Sequence, residues 1–193
     1  FICCGLIPWT FFSSAISRAA FTMVENGNII KKVYFPREIL PISIVTSNLI
    51  NFLISCVIIV AALIISGLGL SWYVLLLPLV LIVQYILLIG LAFILSAITV
   101  YIRDLEYFIN VLMMLWFYLN PIVYSIDFIP TKWLPIFKLN PMLHIINAYR
   151  DILFYQKLPD MVNLGIWLLI SCLIAFVGYK IFKKLEKRFA EEL

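Results

Sequence analysis

Apolar side chains run through this chain in long unbroken blocks, without the alternation of strands or the one-sided stripes of surface helices. No charged residue lies between Glu38 and Arg103, none between Glu106 and Asp127, and none between Asp160 and Lys180. A helix needs ~20 apolar residues to cross a ~30 Å hydrocarbon core. Lipid offers backbone N–H and C=O groups no partner, so each crossing must satisfy its own. The blocks therefore predict five membrane-crossing helices. One runs from Phe1 to about Ala20, two share the stretch 39–102, one runs from Tyr107 to about Ser125, and one from Met161 to Tyr179. The long stretch is divided at Gly67-Leu68-Gly69-Leu70-Ser71, its only turn signal.

Composition removes the soluble alternatives. Of 193 residues 65% are hydrophobic and 12% charged, with a mean hydropathy of +1.11. Soluble domains run at about 45–50% and 25%. A water-facing surface cannot be built from this chain, which excludes soluble enzymes and nucleic-acid modules. The fold class is an all-α polytopic membrane protein, residues 1–193 forming one transmembrane domain.

The net charge of +4 reports topology, because the basic residues gather at the ends of the blocks. Arg18, Lys31, Lys32, Arg37, Arg103 and the tail 180–193, with Lys180, Lys183, Lys184, Lys187 and Arg188, share one side, which is cytoplasmic. Lys132, Lys138, Arg150 and Lys157, diluted by Asp127, Asp151 and Asp160, lie outside. Five crossings put Phe1 outside, and its not being Met predicts one further crossing before it. Cys3, Cys4, Cys56 and Cys172 sit in apolar sequence far from the only histidine, His144, and read as small apolar fillers with no metal-ligand spacing.

Three segments do more than cross or connect. Residues 28–35 predict a short cytoplasmic helix capped by Asn28, with Ile29, Ile30, Val33 and Tyr34 on one face and Lys31 and Lys32 on another, stopped by Pro36. It is either a headgroup anchor or a docking helix for a cytoplasmic partner. The outer segment 127–160 is cut by Pro130, Pro135, Pro141 and Pro159 into pieces too short to span. Its best piece opens at Asn140-Pro141 and carries the stripe Met142, Ile145, Ile146, Tyr149 and Leu153. His144, Asn147 and Asp151 follow at spacings of three and four, with Arg150 beside them. This piece either seals the outer face or re-enters to gate an exit. The fourth block holds Trp116, Phe117, Tyr118 and Tyr124 around Asn120-Pro121, which predicts a kink there. The aromatics are either belt and packing residues or the wall of a conduit.

The sequence has no Gly-x-x-x-x-Gly-Lys-Ser/Thr phosphate loop and no carboxylate or basic residue inside a predicted crossing, Arg18 marking the end of the first, which argues against an ion-coupled carrier. The Arg103-Asp104-Leu105-Glu106 turn is too small a set for a membrane transferase. An uncharged bundle without an energy source suggests a pathway driven from outside.

Several strings resemble the permease subunits of ABC-2 type polysaccharide exporters, the O-antigen and teichoic-acid export family. They are Leu6-Ile7-Pro8-Trp9-Thr10-Phe11-Phe12 and Asn28-Ile29-Ile30-Lys31-Lys32-Val33-Tyr34-Phe35-Pro36-Arg37-Glu38-Ile39-Leu40-Pro41. Others are Tyr101-Ile102-Arg103-Asp104, Trp116-Phe117-Tyr118-Leu119-Asn120-Pro121-Ile122-Val123-Tyr124 and Leu139-Asn140-Pro141-Met142. The resemblance implies five of six spans and a homodimer in the bacterial cytoplasmic membrane, clamped from below by an ABC ATPase subunit that carries ATP and Mg²⁺. No cofactor belongs to this chain. Its partners are that ATPase, a second copy, membrane lipids and a lipid-linked polysaccharide. Residues 28–35, with Arg37 and Glu38, match the coupling helix; Arg103 and Asp104 match a cytoplasmic loop. Residues 131–155 match outer gate helices, with His144, Asn147 and Arg150 joining Trp116, Phe117, Tyr118 and Tyr124 as channel or gate candidates. An ABC-2 exporter of drugs or lipids shares the topology, and a membrane-embedded glycan polymerase is the reading from another class.

Overall fold

A computed structural model describes residues 1–32, 35–65, 71–124, 132 and 137–189. Among these residues the fold is all-helical. Helix α1 (Ile2–Glu25) is followed by the short α2 (Gly27–Lys32) and by α3 (Ile39–Ile65). A 3₁₀ turn (Trp72–Leu76) leads into α4 (Leu77–Tyr101), then come α5 (Leu105–Leu119), α6 (Pro141–Leu153) and α7 (Met161–Leu185), which ends in a 3₁₀ turn (Glu186–Arg188).

Among the described residues three units are long and apolar enough to cross a membrane: Ile39–Ala61, Trp72–Tyr101 and Met161–Arg188. They correspond to three of the five expected crossings. Helix α1 has 24 residues, enough length at ~1.5 Å per residue, but Thr10, Ser13, Ser14, Ser17 and Arg18 lower its apolarity. The 15 residues of α5 cover only ~22 Å.

Several boundaries differ from expectation for local reasons. Helix α1 continues past Ala20 until Asn26, whose backbone N–H and side-chain Nδ2 both donate to the Thr22 carbonyl. Helix α2 starts at Gly27, not behind an Asn28 cap, because the Asn26 carbonyl accepts from Ile29 and Ile30. Val33 and Tyr34 lie outside the described residues, as do the glycines of the 67–71 turn and most of 125–136. The expected kink at Asn120-Pro121 is instead a helix end. Asn120 turns extended (φ −97°, ψ 135°), the conformation a following proline imposes, and its Nδ2 covers the Trp116 carbonyl at 2.8 Å. Helix α7 runs beyond Tyr179 to Leu185.

The core lies where α1, α4 and α6 meet. Phe12, Ala15, Ile16, Leu87, Ile145 and Ile146 are buried together there. Gln84, fully buried on α4, donates Nε2 to the Pro8 carbonyl at 2.8 Å and ties α4 to α1. Helices α4 and α7 touch at the backbone level. A Cβ at Gly90 would stand 2.7 Å from the Ala175 nitrogen, and one at Gly178 would strike the Gly90 carbonyl. Glycine permits this approach, as is common between helices that pack in lipid.

Candidate functional site

The two ends of the bundle carry the polar chemistry. At the outer end, α6 forms because Asn140 caps it: its Oδ1 accepts from the Met142 N–H at 3.1 Å, and Pro141 occupies the first turn where a missing N–H costs nothing. The same Oδ1 accepts from Trp116 Nε1 at 3.2 Å, and Asn140 Nδ2 donates to Asn120 Oδ1 at 2.8 Å. The end of α5 and the start of α6 are thus stitched by two asparagines and a tryptophan.

The α6 stripe is core, not loose surface. Met142, Ile145, Ile146 and Tyr149 are buried to 1% exposure or less, and Leu153 to 5%. Arg150 is buried with them at 3%. Its Nη1 and Nη2 donate to the Pro121 and Ile122 carbonyls, both at 2.6 Å, and its guanidinium stands 4.0 Å over the Phe1 ring. Arg150 therefore does not join His144, Asn147 and Asp151, contrary to the sequence expectation. It points inward because the frayed end of α5 presents carbonyls with no helical N–H to meet them.

His144, Asn147 and Asp151 do share a face. With Lys138, Asp160 and Asn163 they line a polar pocket of about 300 Å³. The His144 Nε2 is 2.8 Å from the Lys138 carbonyl, and its ring lies 5.5 Å from that of Trp167. Asp160 caps α7, accepting from Val162 and Asn163 N–H at 3.1 Å each. Hydrogen bonds from the Asn163 backbone lead the effects that hold its carboxyl below the ordinary 3.8.

The aromatic block divides. Trp116 packs edge-on against Phe12 at 5.3 Å and Trp9 at 6.4 Å, so with its Asn140 bond it belongs to the bundle. Phe117 lies 6.1 Å from Trp9, while Tyr118 is 65% exposed. Phe117, Tyr118, Met114, Trp9 and Ser13 border an open groove of about 260 Å³. The Tyr124 hydroxyl donates back to the Tyr118 carbonyl at 3.0 Å.

At the cytoplasmic end, Ile29 is half exposed, but Ile30 is buried in a satellite core with Met23, Phe93 and Phe182. Ile30 therefore anchors α2 from within and offers no surface to a partner. Lys31 and Lys32 are exposed. Arg37, expected to face a partner, donates to the Glu186 carbonyl. Glu38 accepts from Lys183 at 2.9 Å, and Lys183 also pairs with Glu186 at 3.1 Å. Partial burial pushes the Glu38 carboxyl up, but the Lys183 hydrogen bond, a backbone hydrogen bond and the Lys183 charge together hold it below its ordinary 4.5. Arg103 and Asp104 are exposed in the turn before α5.

Sequence reading missed the partners of these residues. Gln84, Trp9, Phe12, Lys183 and Glu186 were not singled out as contacts; the one available signal concerned the asparagines, since Asn-Pro occurs twice, at 120–121 and 140–141, and the two asparagines meet.

The ABC-2 type transporter family matches residues 1–154. A Klebsiella pneumoniae protein named O-antigen export system permease protein RfbA is 37% identical to this chain over its whole length and 74% of the relative's. A second Klebsiella pneumoniae protein of that name is 36% identical over the same shares. The Myxococcus xanthus protein of that name is 31% identical over the whole chain and 75% of its own length. With this similarity, and with three helices among the described residues able to cross a membrane, the chain is a multi-pass membrane protein that belongs to the ABC-2 type transporter family.

Proposed function

We propose that the chain is the transmembrane subunit of an ATP-driven exporter that moves lipid-linked polysaccharide, of O-antigen or teichoic-acid type, across the bacterial cytoplasmic membrane. The observation that carries this reading is similarity along the entire chain to relatives named as O-antigen export permeases. Two copies form the path between them, and each rests on an ABC ATPase subunit that holds ATP and Mg²⁺. Helix α2, with Ile29, Lys31 and Lys32 exposed, transmits the ATPase stroke. Helix α6 gates the outer end. Phe117 and Tyr118 face the path, since aromatic rings give sugars apolar contact without fixed hydrogen-bond geometry.

Deleting the gene and restoring it, with its neighbouring ATPase gene intact, tests the reading. Surface polysaccharide disappears on deletion and returns on restoration, and the purified complex contains two copies of each chain. Normal surface polymer in the deletion strain, with loss of drug or lipid export, assigns the chain to the other branch of the family.

A further inference from the structure

Four buried polar side-chain atoms have no hydrogen-bond partner among the described residues, and two of them are neighbours on α6: the Tyr149 hydroxyl and Arg150 Nε. The arginine still makes two bonds through its other nitrogens. The tyrosine side chain makes none. Tyr149 is 1% exposed, and its ring meets Phe52 of α3 edge-on at 5.8 Å. Burying a hydroxyl without a partner costs free energy, because the bond it made to water in the unfolded chain is not replaced. The described arrangement of α6 therefore carries a penalty, which a second arrangement removes if it gives the hydroxyl a partner.

A polar surface adjoins the same phenylalanine. Phe52 is also a wall of a groove of about 280 Å³ between α1 and α3, whose polar lining is Thr10, Ser14, Asn48, Asn51 and Ser55. Ser14 donates to Asn48 at 3.2 Å, and the Thr10 and Ser55 hydroxyls bond carbonyls of their own helices. Asn51, one residue before Phe52, is exposed, and its carboxamide bonds no other described residue. It lies in the Ile39–Ala61 unit able to cross a membrane, where lipid supplies no hydrogen-bond partner. An orphaned hydroxyl and an orphaned carboxamide thus adjoin one aromatic ring.

We infer that Tyr149 is a switch residue of α6: when α6 shifts against α3, past Phe52, the hydroxyl leaves its unpaired site and bonds the Asn51 carboxamide. The bond gained and the orphan relieved offset the apolar contacts that α6 gives up, which keeps the second arrangement accessible. The chain carries its own reporter of the shift. Cys4 is 3% exposed and is packed with Ile59 and with Leu153, the last residue of α6, so movement of α6 uncovers its thiol. The inference deepens the reading of α6 as the outer gate and rests on it only for the consequence that the shift opens a path.

The test uses the full chain in phosphatidylcholine nanodiscs, with Cys3, Cys56 and Cys172 replaced by Ala, and follows the rate at which N-ethylmaleimide labels Cys4. Tyr149→Phe removes the orphan and its later partner together. It melts no lower than its parent and labels at least tenfold more slowly, equivalent to about 1.4 kcal/mol. Asn51→Leu alters a side chain exposed on α3 and leaves the described packing of α6 intact. It slows labelling at least about threefold, and adds nothing once Tyr149 is Phe. Lower melting or faster labelling of Tyr149→Phe overturns the inference, since the hydroxyl is then bonded at rest. An unchanged rate in either single variant overturns it too, as does a Cys4 that never labels below the unfolding temperature. None of these readouts needs ATP or polymer, so their failure leaves the export reading standing, and a failed export assay leaves the Tyr149 switch standing.

Discussion

The two ends of this molecule are tied together with opposite chemistry. At the outer end α6 is held by neutral amides and one buried arginine bonded to backbone carbonyls. At the cytoplasmic end the last turn of α7 is joined to the start of α3 by partly exposed ion pairs beside an open cavity, while α2 is held by its buried Ile30. Buried hydrogen bonds cost much to break because their partners are left without water. Exposed pairs contribute roughly 0–1 kcal/mol and are screened by salt. The contacts of the outer end therefore cost more to break than those of the cytoplasmic end.

The largest expected effect is at Arg150. Arg150→Met strands the Pro121 and Ile122 carbonyls and destabilises the chain by roughly 2–4 kcal/mol, read as thermal unfolding in detergent. Arg150→Lys does not rescue it, because one ammonium cannot reproduce the two-pronged contact. A lysine variant as stable as the native chain would mean that the charge, not the geometry, holds the end of α5.

Next comes the cap. Asn140→Ala removes the α6 cap and the links to Trp116 and Asn120, costing about 1–2 kcal/mol. Asn140→Asp keeps the cap acceptor but cannot donate to Asn120, so it recovers only part. Full recovery by Asp would show that the inter-helix amide bond contributes nothing.

The cytoplasmic pairs give the smaller effects. Glu38→Gln lowers stability by less than about 1 kcal/mol, and the loss shrinks as salt rises. A salt-independent loss as large as that of Arg150→Met would erase the contrast between the ends. The smallest effect is that of pH. The Glu38 carboxyl sits below its ordinary 4.5 in the folded chain, so its contribution is complete above that value and is lost as pH falls through the lowered one. Acidification therefore removes the native advantage over Glu38→Gln, while Arg150→Met keeps its deficit, having no carboxylate partner to titrate.

What the sequence made legible follows from what each interaction requires. The long uncharged blocks at 39–102 and 161–179 predict membrane-crossing helices, and among the described residues they hold the three helices long and apolar enough to cross. The α6 cap and stripe were legible because capping and periodicity are local. Asn120-Pro121 misled, since a proline kinks a helix or ends it according to whether neighbours take up the freed carbonyls. Here Arg150 takes the carbonyls of Pro121 and Ile122, 29 and 28 residues away in sequence. The inward turn of Arg150, the burial of Ile30 and the Glu38–Lys183 pair are all long-range contacts. No spacing rule carries them, so residues placed on a partner-facing surface by helical geometry proved to be internal.

The most direct test of the central claim is transport itself. The chain and its neighbouring ATPase are reconstituted into vesicles with lipid-linked polysaccharide on the ATPase side, and polymer reaching the opposite face is measured. ATP drives polymer across when both chains are present, an ATPase mutated in its nucleotide site does not, and cross-linking α6 to its symmetry mate through cysteines at Asn147 stops transport until the link is reduced. Polymer that stays on the ATPase side while a small apolar compound crosses with ATP would contradict the polysaccharide reading.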